Sequence, residues 1–458
     1  MTLSRRAFLQ AVPAAGAGLT IAFCLPVRAD ASQEAERAFE PNAYLRIAED
    51  GTVTLWCTRL EMGQGVRTLL PMMIAEELEV DWSAVRVEQA EPGGKFAGVR
   101  LHTSGSGSSS GSYQALRTAG AAAREMLIAA AAASWNVEPA ACRAERGAVL
   151  HRVTGRRATY GELAASAAGR PVPETPALKD PADFRILRTP VKRVDGPAIV
   201  SGAAQYGADV RVPGMLFASV ERAPALGSTL VRFDAAAVLK MPGVRHVHPL
   251  TAGIHPGVAV VADDTWTAMR ARRALSIEWA PGAPASFDSD RYLADLPQAF
   301  ERAHYKVRHE GDAAAAMAGS ARRLEATYVY PFQAHAPMET MNCTADVRKD
   351  AAEIWAPTQT DVRTIEQVAK VTGLAPDAIR LHPVTMGGGF GRRLFSDYAA
   401  EAAEVSRAIG RPVQLLWTRE DDMRCGYFQP ATAERFTAGL DADGKIVARP
   451  HGIGLDLK

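Results

Sequence analysis

Three consecutive glycines lie between a predicted strand and a predicted helix. Residues 379–384 have the composition of a strand and residues 397–409 that of a helix, and Gly387–Gly391 (GGGFG) connects them. Glycine reaches positive φ and lets the main chain approach a ligand closely. A strand, a glycine run and a helix in this order, in a chain of mixed α+β character, make the junction a candidate ligand site.

The residues around this run limit the ligands it can hold. Arg392 stands where the dinucleotide-binding fingerprint has its last glycine, and the lysine and hydroxyl of a phosphate-binding loop are missing. A nucleotide-dependent dehydrogenase is therefore disfavoured. The amides of Gly388, Gly389 and Gly391, with Arg392, suit a phosphorylated cofactor, and Phe390 offers an apolar wall for a ring. A tight turn with solvated arginines is the other explanation of the run.

A second junction of the same kind lies near the N-terminus. Residues 44–56 alternate apolar and polar side chains around Asp50-Gly51, which predicts a hairpin. Gly63-Gln64-Gly65 then precedes a predicted helix at 68–78. Gln64 here, and Gln359 on a later loop, are candidate polar contacts to a ligand, although either one alone is explained equally well by a structural role.

Residues 103–112 (TSGSGSSSGS) consist of serine and glycine after Thr103, and they precede an alanine-rich helix predicted at 113–135. Such a run by itself is typical of a flexible linker. The strong helix that follows favours a different explanation, because serines and free amides at a helix N-terminus bind anions. The sequence leaves both explanations open.

Proline-rich stretches divide the chain. Five prolines fall within residues 169–190, which predicts a boundary there, and a second linker is predicted at 280–286. Between them, short strands and helices alternate at 199–279, the pattern of a compact α+β domain.

Composition and charge exclude several classes of protein. The 458 residues carry 52 basic and 51 acidic side chains, a balance that offers no broad field to attract nucleic acid. The five cysteines form no Cys-x-x-Cys pair, so an iron–sulfur cluster or zinc ribbon within this chain is disfavoured. His335 and Glu339, four residues apart beside Pro337, make a poor metal pair.

The first 29 residues are typical of an export signal. Arg5 and Arg6 form a twin arginine, an apolar stretch covers residues 11–25, and Ala29 lies at a predicted cleavage site. The apolar stretch is shorter than the roughly 20 residues that span a bilayer. We expect export to the periplasm by the twin-arginine route, with an uncleaved membrane anchor as the alternative.

The motifs taken together resemble the molybdopterin-binding subunit of the xanthine dehydrogenase and aldehyde oxidase family. The resemblance rests on GQG at 63–65, the serine-rich run from Thr103, a hammerhead-like segment at 201–216, APTQ at 356–359, GGGFGRR at 387–393 and the segment 417–423. It covers nearly the whole chain from about residue 40 and is greatest toward the beta subunit of isoquinoline 1-oxidoreductase.

The resemblance implies a division of the chain. It places an N-terminal molybdopterin-binding segment at 40–168, an inserted α/β hammerhead domain at 195–282 and the first part of the main molybdopterin-binding domain at 318–458.

The resemblance also implies roles for single residues. Phe390 and Gly391, with Gly388, Gly389 and Arg392 in the same run, match the stretch that approaches the molybdenum centre. Gln359 matches a glutamine near the metal, whereas Gln64 and Gly65 match a turn at the phosphate or dinucleotide end of the pterin. The resemblance implies that the pterin's own sulfurs hold the metal, so we expect no residue of the protein to be a metal ligand.

The function implied is a molybdenum hydroxylase large subunit, which oxidises an aldehyde or N-heteroaromatic substrate with oxygen from water. Its cofactor is molybdopterin, expected in the cytosine dinucleotide form. The implied partners are a small [2Fe–2S] subunit and a cytochrome electron acceptor, without nucleic acid.

The sequence departs from the family in its C-terminal part. The family's general base is a glutamate in a late Gly-x-Gly-Glu motif, and no residue of this chain matches it. The catalytic residue is therefore left unassigned. We expect either the front portion of a longer or split enzyme or, as the alternative, a truncated non-catalytic exported protein for cofactor binding or assembly.

Overall fold

The computed structural model describes residues 38–42, 44–282, 286–302 and 308–454. The predicted export signal at residues 1–29 lies outside this part of the chain. Within it, the helices fall short of the length and apolar character that crossing a bilayer requires.

Strands occur along the whole described chain. In chain order they are β1 Ala38–Asn42, β2 Leu45–Ala48, β3 Val53–Cys57, β4 Val85–Gln89, β5 Cys142–Glu145, β6 Ala148–His151, β7 Arg157–Thr159, β8 Leu216–Arg222, β9 Thr229–Asp234, β10 Val244–Leu250, β11 Gly257–Ala262, β12 Ser276–Ala280, β13 Arg322–Tyr330, β14 Gln333–Ala334, β15 Asn342–Val347, β16 Ala352–Ala356, β17 Ile379–Pro383, β18 Val413–Leu416, β19 Phe428–Gln429, β20 Thr432–Leu440, β21 Ile446–Ala448 and β22 His451–Gly454.

The α-helices are α1 Val66–Leu78, α2 Gly107–Trp135, α3 Tyr160–Ala168, α4 Gly196–Val200, α5 Thr265–Arg272, α6 Ser289–Asp295, α7 Ala313–Ala318, α8 Asp361–Thr372, α9 Asp397–Ile409 and α10 Arg419–Arg424. The mixture of helices with parallel and antiparallel strands confirms the α+β class. The helix predicted at 397–409 is confirmed, as is the hairpin around Asp50-Gly51, whose arms are β2 and β3.

The described residues form two compact units, one made of those up to 218 with 337–416, the other of those at 219–336 with 417–454. In the first unit, β1 to β4 form one sheet, on which α1 packs. The alanine-rich α2 packs closely against α1, because a side chain at Gly120 would lie 2.4 Å from the carbonyl oxygen of Ile74. This helix pair and the sheet share a core that includes Leu55, Ile74 and Leu127.

The strands β8, β18, β15, β16 and β17 follow one another across a second sheet. In the first unit, β18 pairs in parallel with Leu216, Phe217 and Ala218 of β8 and antiparallel with β15. The edge strand β17 runs parallel to β16 and ends at Pro383, just before the glycine run. The helices α8 and α9 pack on this sheet and on each other, which places the glycine run between β17 and α9 as predicted.

The proline-rich segment at 169–190 is fastened to the first unit by two buried carboxylates of α1. Glu77 pairs with Arg117 and Arg124 and accepts the amide of Lys179. Glu76 accepts the Nζ of Lys179 and the amides of Arg185, Ile186 and Leu187. The segment is therefore held by charge-assisted hydrogen bonds along its second half. The predicted domain bounds at 168, 195 and 282 stay predictions.

Candidate cofactor-binding site

The glycine run adopts a conformation that requires its glycines. Gly388 and Gly391 have φ values of 97° and 100°, and Phe390 between them has φ 52°, which is rare for a residue with a side chain. The Phe390 side chain is 63% exposed although it is large and apolar. A Cβ on Gly388 would lie 2.9 Å from the Phe390 ring, so the glycine lets the ring fold back over the main chain.

The buried side chain of Gln359 connects the glycine run to a different loop. Its Oε1 accepts the amide N–H of Gly391 (3.0 Å), and its Nε2 donates to the carbonyl of Thr103 (3.0 Å). Two backbone hydrogen bonds join the same segments. The amide of Gln359 donates to the carbonyl of Arg393, and the amide of Thr103 donates to the carbonyl of Gln359. Gln359 therefore joins the glycine run to the start of the serine-rich run.

The GQG segment reaches the same place. A Cβ on Gly389 would lie 2.5 Å from Gln359 Oε1 and 3.1 Å from Met62 Sδ, so both side chains lie directly against this glycine. The carbonyl of Leu60 accepts from Thr103 Oγ1 (2.8 Å) and from Gln64 Nε2 (3.2 Å). Four segments that are far apart in the sequence thus meet around Gln359.

Glu61 shapes the GQG turn, a role that was not predicted from the sequence. Its Oε1 accepts the amides of Gly63 (2.8 Å) and Gly65 (2.9 Å), and its Oε2 accepts that of Arg67 (3.0 Å). Gly65 belongs to the turn that the resemblance places at the phosphate or dinucleotide end of the cofactor, and its amide donates to a carboxylate of the chain itself. The sequence carried a signal for this role, namely an acidic residue shortly before a glycine at which a helix begins, because helix N-termini favour carboxylates.

Arg392 and Arg393 are buried rather than solvated, which overturns the tight turn with solvated arginines. Arg392 makes a bidentate pair with Asp397 (2.8 and 2.9 Å) at the start of α9. Arg393 donates to Glu339 Oε2 (3.1 Å) and to the carbonyls of Pro357 and Gly388. The two guanidinium groups thus anchor the glycine run, and a direct contact of Arg392 with a cofactor stays a prediction.

Glu339 also holds the glycine run in place. Its Oε2 accepts the amide of Gly387 (2.8 Å) as well as Arg393, and its Oε1 accepts from the amide of Ala208 (3.1 Å) and from Asn342 Nδ2 (3.0 Å). From the sequence, Glu339 was considered only as half of a poor metal pair with His335. Its actual role depends on contacts between distant segments, for which the local sequence carries no signal.

The second half of the serine-rich run, residues 107–112, is helical, which contradicts a flexible linker there. The helix α2 begins at Gly107, six residues earlier than predicted, after Ser106 in the left-handed conformation (φ 53°) without a side-chain cap. Arg59 Nε donates to Ser112 Oγ (3.3 Å) beside this helix start. First-turn amides and a nearby guanidinium suit a negatively charged group, as the alternative interpretation holds.

The site as a whole fits a flat, anionic cofactor. The sides of Gly63, Gly65, Gly105 and Gly107 where a Cβ would stand have no protein atom within 4 Å, so a ligand can approach this backbone. The Phe390 ring is exposed beside the run. Among the described residues, groups of three or more His, Cys, Asp or Glu side chains suited to a metal ion do not occur.

Burial suppresses acid–base reactivity near the site. It raises the pKa of the Cys57 thiol to about 12 and that of the Tyr398 hydroxyl to about 12. The hydroxyl of Tyr398 donates to the carbonyl of Pro357 (2.9 Å), and this carbonyl also accepts a hydrogen bond from Arg393. Burial first, then Arg100 and Arg59, lower the pKa of His102. These groups support the site in their neutral forms.

Comparison with known proteins agrees with the geometry. Two models of the molybdopterin cofactor-binding domain match, one at residues 9–229 and the other at 297–455. The chain is 35% identical to isoquinoline 1-oxidoreductase subunit beta of Brevundimonas diminuta over 99% of its own length and 64% of that protein. It is 32% identical to the membrane-bound aldehyde dehydrogenase (pyrroloquinoline-quinone) of Gluconacetobacter polyoxogenes, over 98% of this chain and 60% of that one.

Among solved structures, quinoline 2-oxidoreductase from Pseudomonas putida 86 matches with a TM-score of 0.47 and 21% identity, over 57% of this chain and 38% of that chain. The chain spans less than two thirds of the length of the two relatives named above. The matches to cofactor-binding domains and to the isoquinoline enzyme nevertheless extend over most of it. The chain therefore belongs to the xanthine dehydrogenase/aldehyde oxidase family and carries molybdopterin cofactor-binding domains.

Proposed function

We propose that the protein is the molybdopterin-binding large subunit of a molybdenum hydroxylase that oxidises an aldehyde or an N-heteroaromatic compound. The observation that carries the proposal is the convergence of residues 60–65, Thr103, Gln359 and the glycine run on one place. Both substrate classes are named by relatives, one an isoquinoline oxidoreductase and the other an aldehyde dehydrogenase.

In this proposal the described residues bind and orient the cofactor. Gln359 is buried and holds Thr103 and the glycine run in place, and its direct contact with the cofactor stays a prediction. Phe390 presents its exposed ring as an apolar wall for a flat ligand. When bound, the cofactor supplies a two-electron oxidation in which water provides the oxygen.

The cofactor form and the partners belong to the proposal as well. The start of α2, with its uncapped amides and Arg59, suits the anionic end of a molybdopterin cytosine dinucleotide. Electrons then pass to a small [2Fe–2S] subunit and onward to a cytochrome. The twin arginine at Arg5-Arg6 supports export to the periplasm after the cofactor is inserted, with membrane association as the alternative.

The test is cofactor analysis of protein co-expressed with its iron–sulfur subunit. We expect about one molybdenum and one pterin per chain, and cytosine monophosphate after mild acid hydrolysis. Folded protein without molybdenum and pterin would contradict the proposal, and pyrroloquinoline quinone in their place would point to a different redox group. Stoichiometric molybdenum without turnover of any aldehyde or N-heterocycle would favour the non-catalytic binding or assembly protein.

A further inference from the structure

A segment of the first unit connects the GQG turn to the surroundings of the glycine run. We call residues 193–208 the strap. It begins at Arg193 beside the GQG turn, continues through the short helix α4 and ends at Ala208 beside Glu339. Within it, Tyr206 forms an isolated parallel bridge with Thr385, two residues before the glycine run. The strap therefore reaches both parts of the candidate site.

Arg193 holds the first end of the strap on the GQG turn. Its Nη1 donates to the carbonyl of Gly63 (2.8 Å), and its Nη2 lies 3.5 Å from Glu61 Oε1. The same guanidinium makes a bidentate pair with Asp195 of the strap (2.8 and 2.6 Å). Glu61 is also the carboxylate that accepts the amides of Gly63 and Gly65. Arg193 thus supports the turn through one of its carbonyls and through the carboxylate that shapes it.

The Arg193 guanidinium lies between two shielded carboxylates but is itself partly open to solvent. The side chains of Glu61 and Asp195 are 7% and 8% exposed, whereas that of Arg193 is 37% exposed. The hydrogen bond from Arg193 lowers the pKa of Asp195. One cation therefore compensates two carboxylates at a place that dissolved salt can reach, and salt weakens exposed ion pairs much more than buried ones.

The second end of the strap is packed into the protein. Gly207 fits so closely that a Cβ there would lie 2.3 Å from Asn342 Oδ1. The amide of Ala208 donates to Glu339 Oε1 (3.1 Å), and Gln414 Nε2 donates to the carbonyl of Ala208 (3.2 Å). This end is held by close packing as well as by hydrogen bonds, so it is the firmer of the two.

Between its two ends the strap is exposed. Residues 200–203 and Gln205 lie at the surface, and Val200 is 87% exposed. Segments with few buried contacts open locally at a low cost in free energy. The strap is therefore built to open from the Arg193 end while Gly207 and Ala208 stay in place.

We propose that Arg193 is a positioning residue for cofactor retention, which keeps the GQG turn in its binding shape until the strap opens from that end. This inference rests on the proposed function. When Arg193 leaves Gly63 and Glu61, the carboxylate is free to leave the amides of the turn, and the turn loses its shape. A partly exposed ion pair contributes little to the free energy of unfolding. Loss of Arg193 should therefore change the rate of cofactor release more than the stability of the fold.

The test is the rate at which the purified complex releases its cofactor. Protein co-expressed with its iron–sulfur subunit is diluted into cofactor-free buffer, and the pterin that stays with the protein is oxidised and measured by fluorescence over time. We expect Arg193→Ala to release pterin about tenfold faster than the native protein, which is the effect of losing one hydrogen bond from a charged group. Arg193→Lys should release it at an intermediate rate, because lysine keeps the charge without the bidentate geometry. Arg245→Ala, which breaks an exposed bidentate pair with Asp263 in the other unit, is the control and should leave the rate unchanged.

Salt gives a readout that a general structural role of Arg193 would not change. At about 1 M salt the screening length falls to about 3 Å, which weakens the exposed Arg193 contacts. The ratio of the release rates of Arg193→Ala and the native protein should therefore shrink toward one as salt rises. Equal release from the two proteins at low salt, or a ratio that salt does not change, would overturn the proposal.

A second measurement needs no cofactor. In protein from a host unable to make molybdopterin, the amides of Gly63 and Gly65 should exchange hydrogen faster in Arg193→Ala than in the native chain, whereas exchange at 206–210 should stay the same. Unchanged exchange at the GQG turn would overturn the proposal whatever the protein binds. A native complex without pterin would contradict the proposed function, and the retention role with it. The two failures are distinguishable, because hydrogen exchange reports the hold of Arg193 on the turn in the absence of any cofactor.

Discussion

Gln359 is the residue on which the candidate site depends. Its amide group satisfies one donor and one acceptor from two different segments, and it is 1% exposed. A buried polar group that loses its partner costs far more than a hydrogen bond contributes on average. Gln359 therefore acts on both the shape of the glycine run and the position of Thr103.

Replacing this amide by a side chain of similar size should loosen the site. In Gln359→Met, the carbonyl of Thr103 and the amide of Gly391 lose their partner, and each costs about 1–3 kcal/mol in free energy of unfolding. Urea unfolding measures the loss, and metal analysis measures retained molybdenum. Gln367→Met, at an exposed position of α8 in the same unit, is the control. Equal stability of the two variants would contradict the role of Gln359.

Gly389 is the second sensitive residue. Gly389→Ala places a methyl group 2.5 Å from Gln359 Oε1, and we expect a loss of about 1–3 kcal/mol from overpacking together with lower cofactor retention. Gly389→Val should lower molybdenum content further. Gly111→Ala is a matched control, because this exposed helical glycine has no atom within 4 Å and should gain about 0.5–1 kcal/mol. Unchanged molybdenum in Gly389→Val would argue against this placement of the cofactor.

His102 should make the site sensitive to acid. Burial, Arg100 and Arg59 lower its pKa from 6.5, against the opposing charge of Asp361. The unfolded chain therefore takes up the proton first, and stability present above pH 6.5 is lost as the pH falls toward the lowered pKa. His102→Gln should reduce the difference in unfolding free energy between about pH 7.5 and about pH 5.5, whereas His309→Gln, at an exposed histidine, should not. An equal effect of both substitutions would remove His102 as the cause.

At the scale of elements, the sequence predicted what local patterns determine. The strand, glycine run and helix at 379–409 were predictable because hydrophobic periodicity and glycine are local signals. The start of α2 was not, since Ser106 begins the helix by a left-handed φ that serine rarely adopts. The partners of Arg392 and Arg393 were predicted as solvent or phosphate, because nothing in the local pattern shows that Asp397 and Glu339 face them.

The ion pair between Glu339 and Arg393 holds the glycine run in place, and its contribution to stability can be measured. Glu339→Gln leaves the buried Arg393 guanidinium without a compensating charge, which should cost about 3–5 kcal/mol. Denaturant unfolding gives the value. Glu88→Gln, which breaks an exposed pair with Arg86, should cost less than about 1 kcal/mol. A loss of similar size in both variants would show that the ion pair between Glu339 and Arg393 contributes no more to stability than a surface pair.

At the scale of the whole molecule, charge is neutralised locally. The 52 basic and 51 acidic side chains nearly cancel, and several buried pairs, such as Arg392 with Asp397, use both charges inside the protein. Because Arg392 and Arg393 are used in such pairs, the glycine run presents donors to a ligand mainly through main-chain amides. We therefore expect the cofactor, rather than further internal ion pairs, to complete the stability of the first unit.

Cofactor removal should accordingly destabilise the whole protein. A ligand that binds only the folded state adds about 4 kcal/mol when its concentration is a thousandfold above its dissociation constant. Protein from a host unable to make molybdopterin should thus unfold at a lower temperature than protein from a molybdate-supplied host, as calorimetry measures. Because Gly389→Val should bind little cofactor, its unfolding temperature should be the same from both hosts. A shift that persists in this variant would show that the stabilising ligand binds away from the glycine run.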